Sequence, residues 1–324
     1  MRTCILIGGT GRSGSNVLKE ILSHHPESFS LFFEPRYILD PDGVIDFYES
    51  FDNWSAYNVD YKLRRLFKLL DQLKQKSITD RIMMNLYKSF KWNRQYLTPP
   101  KYYQWELDKH IPGFSERVEN LKEELKVYAF DSYWAGSPSF TFGNKSLCTP
   151  FYKKEEVKPI LSDFIISNIQ SILDIKKKDV FIDDSTFNIL HASTLLDLIP
   201  VAKMIHIYRH PLDVVGSLKK QNWAPKELHQ VVSWYKSTIK RWQIVKSKIP
   251  SDSFIEIKFE DLIYKTHETI NLISDFTGEQ FIGLASKVDL SKHNIGNWEN
   301  LFSKDNQAFL IKNLEDEIRI LGYN

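Results

Sequence analysis

Residues 5–22 read "ILIGGTGRSGSNVLKEIL": a short apolar run, a glycine-rich turn, and then apolar residues at helical spacing. This succession is typical of a buried strand, a tight turn and an amphipathic helix. The backbone N–H groups of such a turn and of the helix start point to one place and favour anions there. We therefore expect the turn to hold a ligand that carries phosphate.

The turn matches the pattern of a dinucleotide-binding loop. Gly9, Gly11 and Gly14 fit G-x-G-x-x-G, and Glu34 follows 20 residues after Gly14, close to where such folds place the acid that binds ribose hydroxyls. An NAD(P)-dependent oxidoreductase is therefore one hypothesis.

Two other interpretations treat the turn as a phosphate loop. A nucleoside triphosphatase is disfavoured, because Ser15 stands where the lysine belongs and Asn16 where the magnesium-binding Ser or Thr belongs. Alternatively, backbone N–H groups bind a phosphate, and Arg12, Ser13 and Ser15 add donors. Only this interpretation explains the arginine.

Strand patterns alternate with helical patterns along much of the chain. The predicted strands are residues 3–7, 29–33, 127–130, 180–182, 204–208 and 254–259. The predicted helices are residues 16–23, 188–198, 212–219 and 229–246. This alternation predicts an α/β fold with three layers, in which helices flank a central, mainly parallel sheet.

Residues 45–125 interrupt this rhythm with sequences of helical periodicity, such as "YKLRRLFKLLDQLKQ" and "RIMMNLYKSF". They predict a helical insertion that covers the acceptor side of the site. No repeat or low-complexity linker marks a boundary, so we expect residues 1–324 to form one elaborated domain.

The composition excludes several classes of protein. The 324 residues are 42% hydrophobic and 26% charged, as in soluble globular proteins, and a net charge of +2 argues against nucleic acid as a partner. Cys4 and Cys148 cannot form a disulfide framework or a zinc finger, and we expect no metal site. No apolar run is long enough for a membrane span, so we expect a cytoplasmic protein.

A second segment, "KMIHIYRHPLDVVGSLKKQNW" at residues 203–223, predicts a buried strand and then a helix that Pro211 opens. Arg209 lies at the strand tip and Ser217 two turns into the helix. We expect both to bind one phosphate near the carboxyl end of the strand, where open α/β sheets bind ligands.

Together the two segments resemble the sulfotransferases that use 3′-phosphoadenosine 5′-phosphosulfate. "GTGRSGSNVL" is similar to the family's 5′-phosphosulfate loop and "YRHPLDVVGS" to its 3′-phosphate motif. "FIEIKFEDL", "SKHNIGNWENLFS" and the terminal "LGYN" are similar to later family segments. The resemblance implies a P-loop-like sulfotransferase fold and this phosphosulfate as co-substrate. The implied nucleotide-binding residues are Gly11, Arg12, Ser13, Gly14, Ser15, Asn16, Arg209, Ser217 and Lys292.

The resemblance also suggests residues for the transfer step. Glu34 and Arg36, in "LFFEPRYI", are similar to the Glu-x-Arg unit of tyrosylprotein sulfotransferases, which implies Glu34 as general base and Arg36, with Arg12, at the reaction centre. Asp184, in "FIDDSTFNIL", stands where many relatives have a catalytic lysine. Asp183 and Asp184 thus remain alternative candidates for the base.

The sequence predicts an enzyme that moves a sulfonate group to a phenolic, carbohydrate or other hydroxyl acceptor. A nucleotide-binding protein with impaired catalysis is the alternative, because Asp184 replaces the lysine. Acceptor identity and oligomeric state are not encoded in any pattern we find.

Overall fold

The structure is a computed structural model. It describes residues 1–74, 76, 78, 81–82, 85, 102, 105–137, 140, 143–291 and 293–323. The chain forms two compact units, the first made of Met1–Glu34 and Lys177–Asn324 and the second of Pro35–Lys176. Residues 45–125 fall within the second unit, and their role as a cover of the acceptor site stays a prediction, as does the single domain.

The secondary structure of the described residues is as follows. The strands are β1 (Thr3–Gly8), β2 (Ser28–Ser30), β3 (Tyr128–Phe130), β4 (Ser146–Cys148), β5 (Val180–Asp183), β6 (Ala202–Tyr208) and β7 (Phe254–Lys258). The α-helices are α1 (Ser15–Ser23), α2 (Arg36–Leu39), α3 (Val44–Glu49), α4 (Ala56–Leu73), α5 (Phe114–Glu124), α6 (Lys154–Lys176), α7 (Ala192–Leu198), α8 (Pro211–Leu218), α9 (Leu228–Lys246), α10 (Phe259–Tyr264), α11 (Thr266–Thr277), α12 (Trp298–Leu301) and α13 (Lys304–Ile320). Short 3-10 helices cover Ser50–Asn53, Leu107–Lys109, Asn188–His191 and Leu284–Lys287.

The first unit contains a five-stranded sheet in the order β2-β5-β1-β6-β7, and all of its pairings are parallel. β1 lies in the middle, where Cys4 pairs with Phe181 on one side and Ala202 on the other. All six residues of β1 are buried, as expected for a central strand with both faces covered. The predicted α/β class with a parallel sheet is confirmed.

Apolar side chains of the strands and helices form the core of this unit. Leu18, Ile21 and Leu22 of α1 lie on one helical face and are fully buried. They pack with Ile5 and Ile7 of β1 in a cluster that also includes side chains of β5, β6, β7, α10 and α11. A second cluster joins α8, α9 and α13.

Three predicted strands differ from the structure in their ends or their pairing. β2 ends at Ser30, because its pairing with β5 stops there, and the following residues leave the sheet with Phe32 exposed. The strand predicted at residues 127–130 exists but pairs antiparallel with β4 in a separate two-stranded sheet. Phe259 begins α10 rather than ending β7.

The second unit is largely helical in its described part. α4 confirms the helical pattern of the first insertion sequence, and Ser55 caps it by accepting a hydrogen bond from the Asn58 backbone N–H at 3.2 Å. The second sequence, residues 81–90, lies mostly outside the described residues. The 23-residue helix α6 was absent from the sequence prediction. No helix in the described residues is long and apolar enough to cross a membrane.

A partly buried polar cluster joins β6, β7 and α9. Glu256 of β7 lies 2.9 Å from both His206 Nδ1 and Trp242 Nε1, and Lys246 donates to its other carboxylate oxygen. Burial raises the pKa of Glu256, but the hydrogen bonds from His206, Lys246 and Trp242 outweigh it and lower the pKa to about 2. The cluster therefore stabilises the carboxylate form.

This cluster predicts acid sensitivity. Because Glu256 has a lower pKa in the folded chain than its ordinary value of 4.5, its contribution is complete above pH 4.5 and is lost as the pH falls towards 2. We expect Glu256→Gln to lower the free energy of unfolding by up to about 3 kcal/mol at pH 7, with a smaller difference near pH 3. Urea unfolding across pH measures this. Glu315→Gln, at an exposed position of α13, is the control, and an equal loss in both variants would contradict the prediction.

Candidate active site

The carboxyl ends of β1, β5 and β6 lie side by side, because the three strands are parallel neighbours. The glycine-rich turn follows β1 at residues 9–14, Asp184 follows β5, and Arg209 follows β6. The sheet therefore brings three separately predicted segments to one edge.

The glycine-rich turn adopts left-handed backbone at three positions. Gly11, Arg12 and Gly14 have φ angles of 77°, 62° and 104°. Gly14 precedes α1, and no side chain caps the helix there, so N–H groups of the first helical turn remain available to a ligand. A turn of this shape before a helix is an anion-binding concavity.

Close packing makes glycine necessary within the turn. A Cβ atom on Gly14 would overlap the ring of Phe259, and one on Gly9 would lie 2.7 Å from the Ile207 carbonyl oxygen. The tip of β6 and the start of α10 thus hold the turn against the sheet edge.

Two buried polar atoms at this edge lack partners. Among the described residues, neither Ser13 Oγ nor Arg209 Nε has a hydrogen-bond partner, although Ser13 is fully buried and Arg209 is 8% exposed. Buried polar atoms without partners are uncommon in native proteins and call for an explanation. Phosphate groups, which accept hydrogen bonds from both residue types, would supply partners for these donors.

The turn and the second segment are joined directly. Arg12 Nε donates a hydrogen bond to Ser217 Oγ of α8 at 3.0 Å. Arg12 is exposed, so its guanidinium keeps further N–H groups towards solvent. Both predicted phosphate-binding segments, 205 residues apart in the chain, therefore meet at one place.

Arg209 is held in position by its neighbours. Its guanidinium lies 5.3 Å from the centre of the Phe259 ring and 3.5 Å from Asp213, and it donates to the Asn294 carbonyl oxygen. Asp213 in turn accepts hydrogen bonds from the backbone N–H groups of Gly296, at 2.8 Å, and of residue 298, at 3.2 Å. The late segment predicted to reach the 3′-phosphate thus packs beside Arg209.

Lys292 lies outside the described residues, so its predicted phosphate contact stays a prediction.

The other two family-like segments support the strand tips. Glu260 accepts hydrogen bonds from the His210 backbone N–H at 3.0 Å and from the Tyr323 hydroxyl at 2.6 Å. They hold the end of β6, the start of α10 and the C-terminal "LGYN" together.

Glu34 lies near the turn but not directly after a strand, because the strand predicted at residues 29–33 ends at Ser30. Its Oε1 accepts hydrogen bonds at 3.2 Å from both the backbone N–H and the hydroxyl of Thr186. The Thr186 carbonyl oxygen accepts a hydrogen bond from the Gly9 N–H at 2.9 Å. Thr186 thus links Glu34 to the glycine-rich turn.

The two aspartates after β5 have different surroundings. Asp183 is buried and accepts hydrogen bonds from Ser185 and Asn188 at 2.9 and 2.8 Å, and burial raises its pKa to about 6. Asp184 pairs with Lys19 of α1 at 2.9 Å. Both carboxylates therefore already have close partners.

Arg36 belongs to the second unit, where it begins α2. Its guanidinium lies 3.5 Å from Asp40 and 5.7 Å from the centre of the Trp105 ring. Its place at the reaction centre stays a prediction.

Within the described residues, no group of three or more His, Cys, Asp or Glu side chains could hold a metal ion.

Three residues near the site escaped the sequence analysis: Lys19, Thr186 and Phe259. Lys19 had a usable signal, because it follows Ser15 by four residues and so shares its face of α1. The roles of Thr186 and Phe259 depend on contacts between distant segments, which no local pattern reveals.

A family comparison agrees with these observations. A model described as the sulfotransferase family matches residues 4–282. The chain is similar to the sulfotransferase domain from the Synechococcus PCC 7002 olefin synthase, with 14% identity, 97% of this chain and 94% of that chain covered, and a TM-score of 0.45. It is also similar to a sulfotransferase from Mycobacterium avium, with 11% identity, 100% of this chain and 78% of that chain covered, and a TM-score of 0.45. A sulfotransferase from Alicyclobacillus acidocaldarius is similar too, with 12% identity, 100% of this chain and 97% of that chain covered, and a TM-score of 0.41. No curated protein matches the chain.

The packing of the turn predicts a severe effect of Gly14→Ala. Alanine would introduce both left-handed strain and overlap with Phe259. Gly278→Ala is the matched control, since Gly278 has a φ of 76° and no described atom within 4 Å of an added Cβ. We expect Gly14→Ala to cost at least about 1 kcal/mol more in urea unfolding. Equal losses would contradict the described packing.

Proposed function

The chain belongs to the sulfotransferase family, and on that premise we propose that it transfers a sulfonate group from 3′-phosphoadenosine 5′-phosphosulfate to a hydroxyl acceptor. The observation that carries the proposal is the hydrogen bond from Arg12 to Ser217, which joins the two segments expected to bind the two phosphates of one nucleotide.

In this proposal the turn binds the 5′ side of the nucleotide. The anion is surrounded by the backbone N–H groups of Gly11 to Asn16. The hydroxyls of Ser13 and Ser15 add further donors. The unpartnered Ser13 Oγ supports this role. The exposed Arg12 guanidinium neutralises charge that develops on the leaving phosphate oxygen.

Arg209 and Ser217 bind the 3′-phosphate, and Lys292 is the third proposed contact. Support comes from the buried Arg209 Nε, which lacks a protein partner among the described residues. Asp213 holds the same guanidinium from the other side, at 3.5 Å, and so orients it. A guanidinium fixed in this way keeps its fork of N–H groups aligned for phosphate oxygens.

Glu34 is the proposed general base. It accepts the proton of the acceptor hydroxyl while the hydroxyl oxygen bonds to sulfur and the bond from sulfur to the bridging phosphate oxygen breaks. The products are a sulfate ester and adenosine 3′,5′-bisphosphate. The two hydrogen bonds from Thr186 hold the carboxylate of Glu34 beside the glycine-rich turn.

Arg36 has a less direct proposed role. Arg36 supplies positive charge to the reacting group, as the Glu-x-Arg resemblance implies. The base is assigned to Glu34 on the Glu-x-Arg resemblance. Asp183, which accepts hydrogen bonds from Ser185 and Asn188, and Asp184, which pairs with Lys19, are the alternatives. The acceptor class remains a phenolic or carbohydrate hydroxyl.

The NAD(P) hypothesis loses its main support. A dinucleotide fold places the ribose-binding acid at the end of the second strand, whereas Glu34 lies four residues beyond β2 and binds Thr186. A chain that binds nucleotide but has lost catalysis is an outcome that the experiments below distinguish.

Arg209→Ala is expected to weaken binding of adenosine 3′,5′-bisphosphate at least about tenfold, because a charged hydrogen-bond donor to phosphate is lost. Isothermal titration calorimetry measures this. Arg319→Ala, which removes an exposed ion pair with Asp316, is the matched control and should bind like the parent. Undiminished binding in Arg209→Ala would refute the assignment of the 3′-phosphate site.

Glu34→Gln is expected to bind the bisphosphate within about twofold of the parent and to lose sulfonate transfer by about 10² to 10⁴-fold. Transfer is measured with labelled donor against phenol and carbohydrate acceptors. Glu20→Gln, exposed on α1, should keep full activity. Full activity in Glu34→Gln would place the base elsewhere, and tight binding with no transfer by the parent chain would favour the impaired alternative.

A further inference from the structure

An ion pair beside the phosphate loop has no role in the proposal so far. Lys19 Nζ of α1 lies 2.9 Å from Asp184 Oδ1, at the carboxyl end of β5. The carboxylate is buried, with 8% of its side chain exposed, while the lysine side chain keeps 21% exposed. The ammonium therefore reaches solvent from a mostly buried position.

The direction of Lys19 follows from its place in the helix. It comes four residues after Ser15, the first residue of α1, so both side chains lie on the same face. Helical side chains lean towards the N-terminus of their helix. The stem of Lys19 thus runs towards the helix start, where the phosphate loop ends.

The ammonium group retains hydrogen-bonding capacity. It carries three N–H donors, and Asp184 accepts one of them. Within the part of the chain that the structure describes, no second protein acceptor of Lys19 is found. Two donors therefore remain for a ligand.

The pair is not needed to hold α1 in place. Leu18, Ile21 and Leu22 already anchor the helix to the sheet through fully buried side chains. Taking a carboxylate and an ammonium out of water carries a desolvation penalty that often cancels their attraction. A stabilising role alone therefore explains the pair poorly.

The residues next to the Lys19–Asp184 pair belong to the proposed active site. Asp184 is followed by Ser185 and Thr186, and Thr186 binds Glu34 and accepts from the Gly9 N–H of the loop. Lys19 thus shares one edge with the proposed base and with the loop assigned to the phosphosulfate. A sulfonate group held there needs hydrogen-bond donors on its peripheral oxygens.

We propose that Lys19 binds the sulfonate group of the donor and that Asp184 positions its ammonium for this contact. The inference rests on the proposed function. In this inference Asp184 holds the Lys19 ammonium rather than accepting a proton. The positive charge beside Asp184 then comes from Lys19 of the neighbouring helix α1.

The test compares two nucleotides that differ in the sulfonate. Binding of 3′-phosphoadenosine 5′-phosphosulfate and of adenosine 3′,5′-bisphosphate is measured by competition against a fluorescent nucleotide, for the parent chain, Lys19→Met and Lys19→Arg. No acceptor is needed. In Lys19→Met we expect the affinity for the sulfonated nucleotide to fall at least about tenfold more than that for the bisphosphate. Lys19→Arg should keep the ratio within about threefold, since it retains a cationic donor.

Lys236→Met is the matched control, because Lys236 is also a helical lysine paired with a buried carboxylate, Glu317, at 3.3 Å. It should leave both affinities unchanged. Equal weakening of both nucleotides by Lys19→Met, or no change in either, would overturn the inference while leaving the proposed function intact. Failure of the parent chain to bind either nucleotide would instead refute the proposed function itself.

Discussion

β1 is hydrogen-bonded on both sides to parallel strands, to β5 and to β6. Parallel pairing requires all three strands to end at the same edge, so the turn after β1 lies between the segments that follow β5 and β6. The loop, Asp184 and Arg209 meet there although they are far apart in the chain. Every contact assigned to the candidate site in the first unit depends on this register.

Each charged group at this edge is held in position by a neighbouring side chain. Asp213 and Phe259 hold Arg209, Asp184 holds Lys19, and Thr186 holds Glu34. Each partner restrains the position of its functional group. Groups that are positioned before binding lose little conformational entropy on binding, and their charges act without rearrangement.

The local patterns predicted which elements exist better than where they end. β1, α1, β6 and α8 match the prediction to within about two residues, because apolar periodicity and the flanking Gly and Pro residues are local signals. β2 is shorter than predicted because strand length depends on the neighbour with which it pairs, and its partner β5 offers only three pairings. The pairing of β3 with β4 likewise depends on a distant segment.

The sequence by itself determined the class of fold, the glycine-rich turn and the family, since each rests on motifs whose own residues lie close together in the chain. Only the tertiary structure decided that Arg12 bonds Ser217, that Thr186 holds Glu34, and that Lys19 pairs with Asp184. The reason is physical: strand order in a parallel sheet and the packing of α1 bring side chains together over separations that no local pattern records. The motifs therefore identify the candidate site residues, and the sheet brings them together.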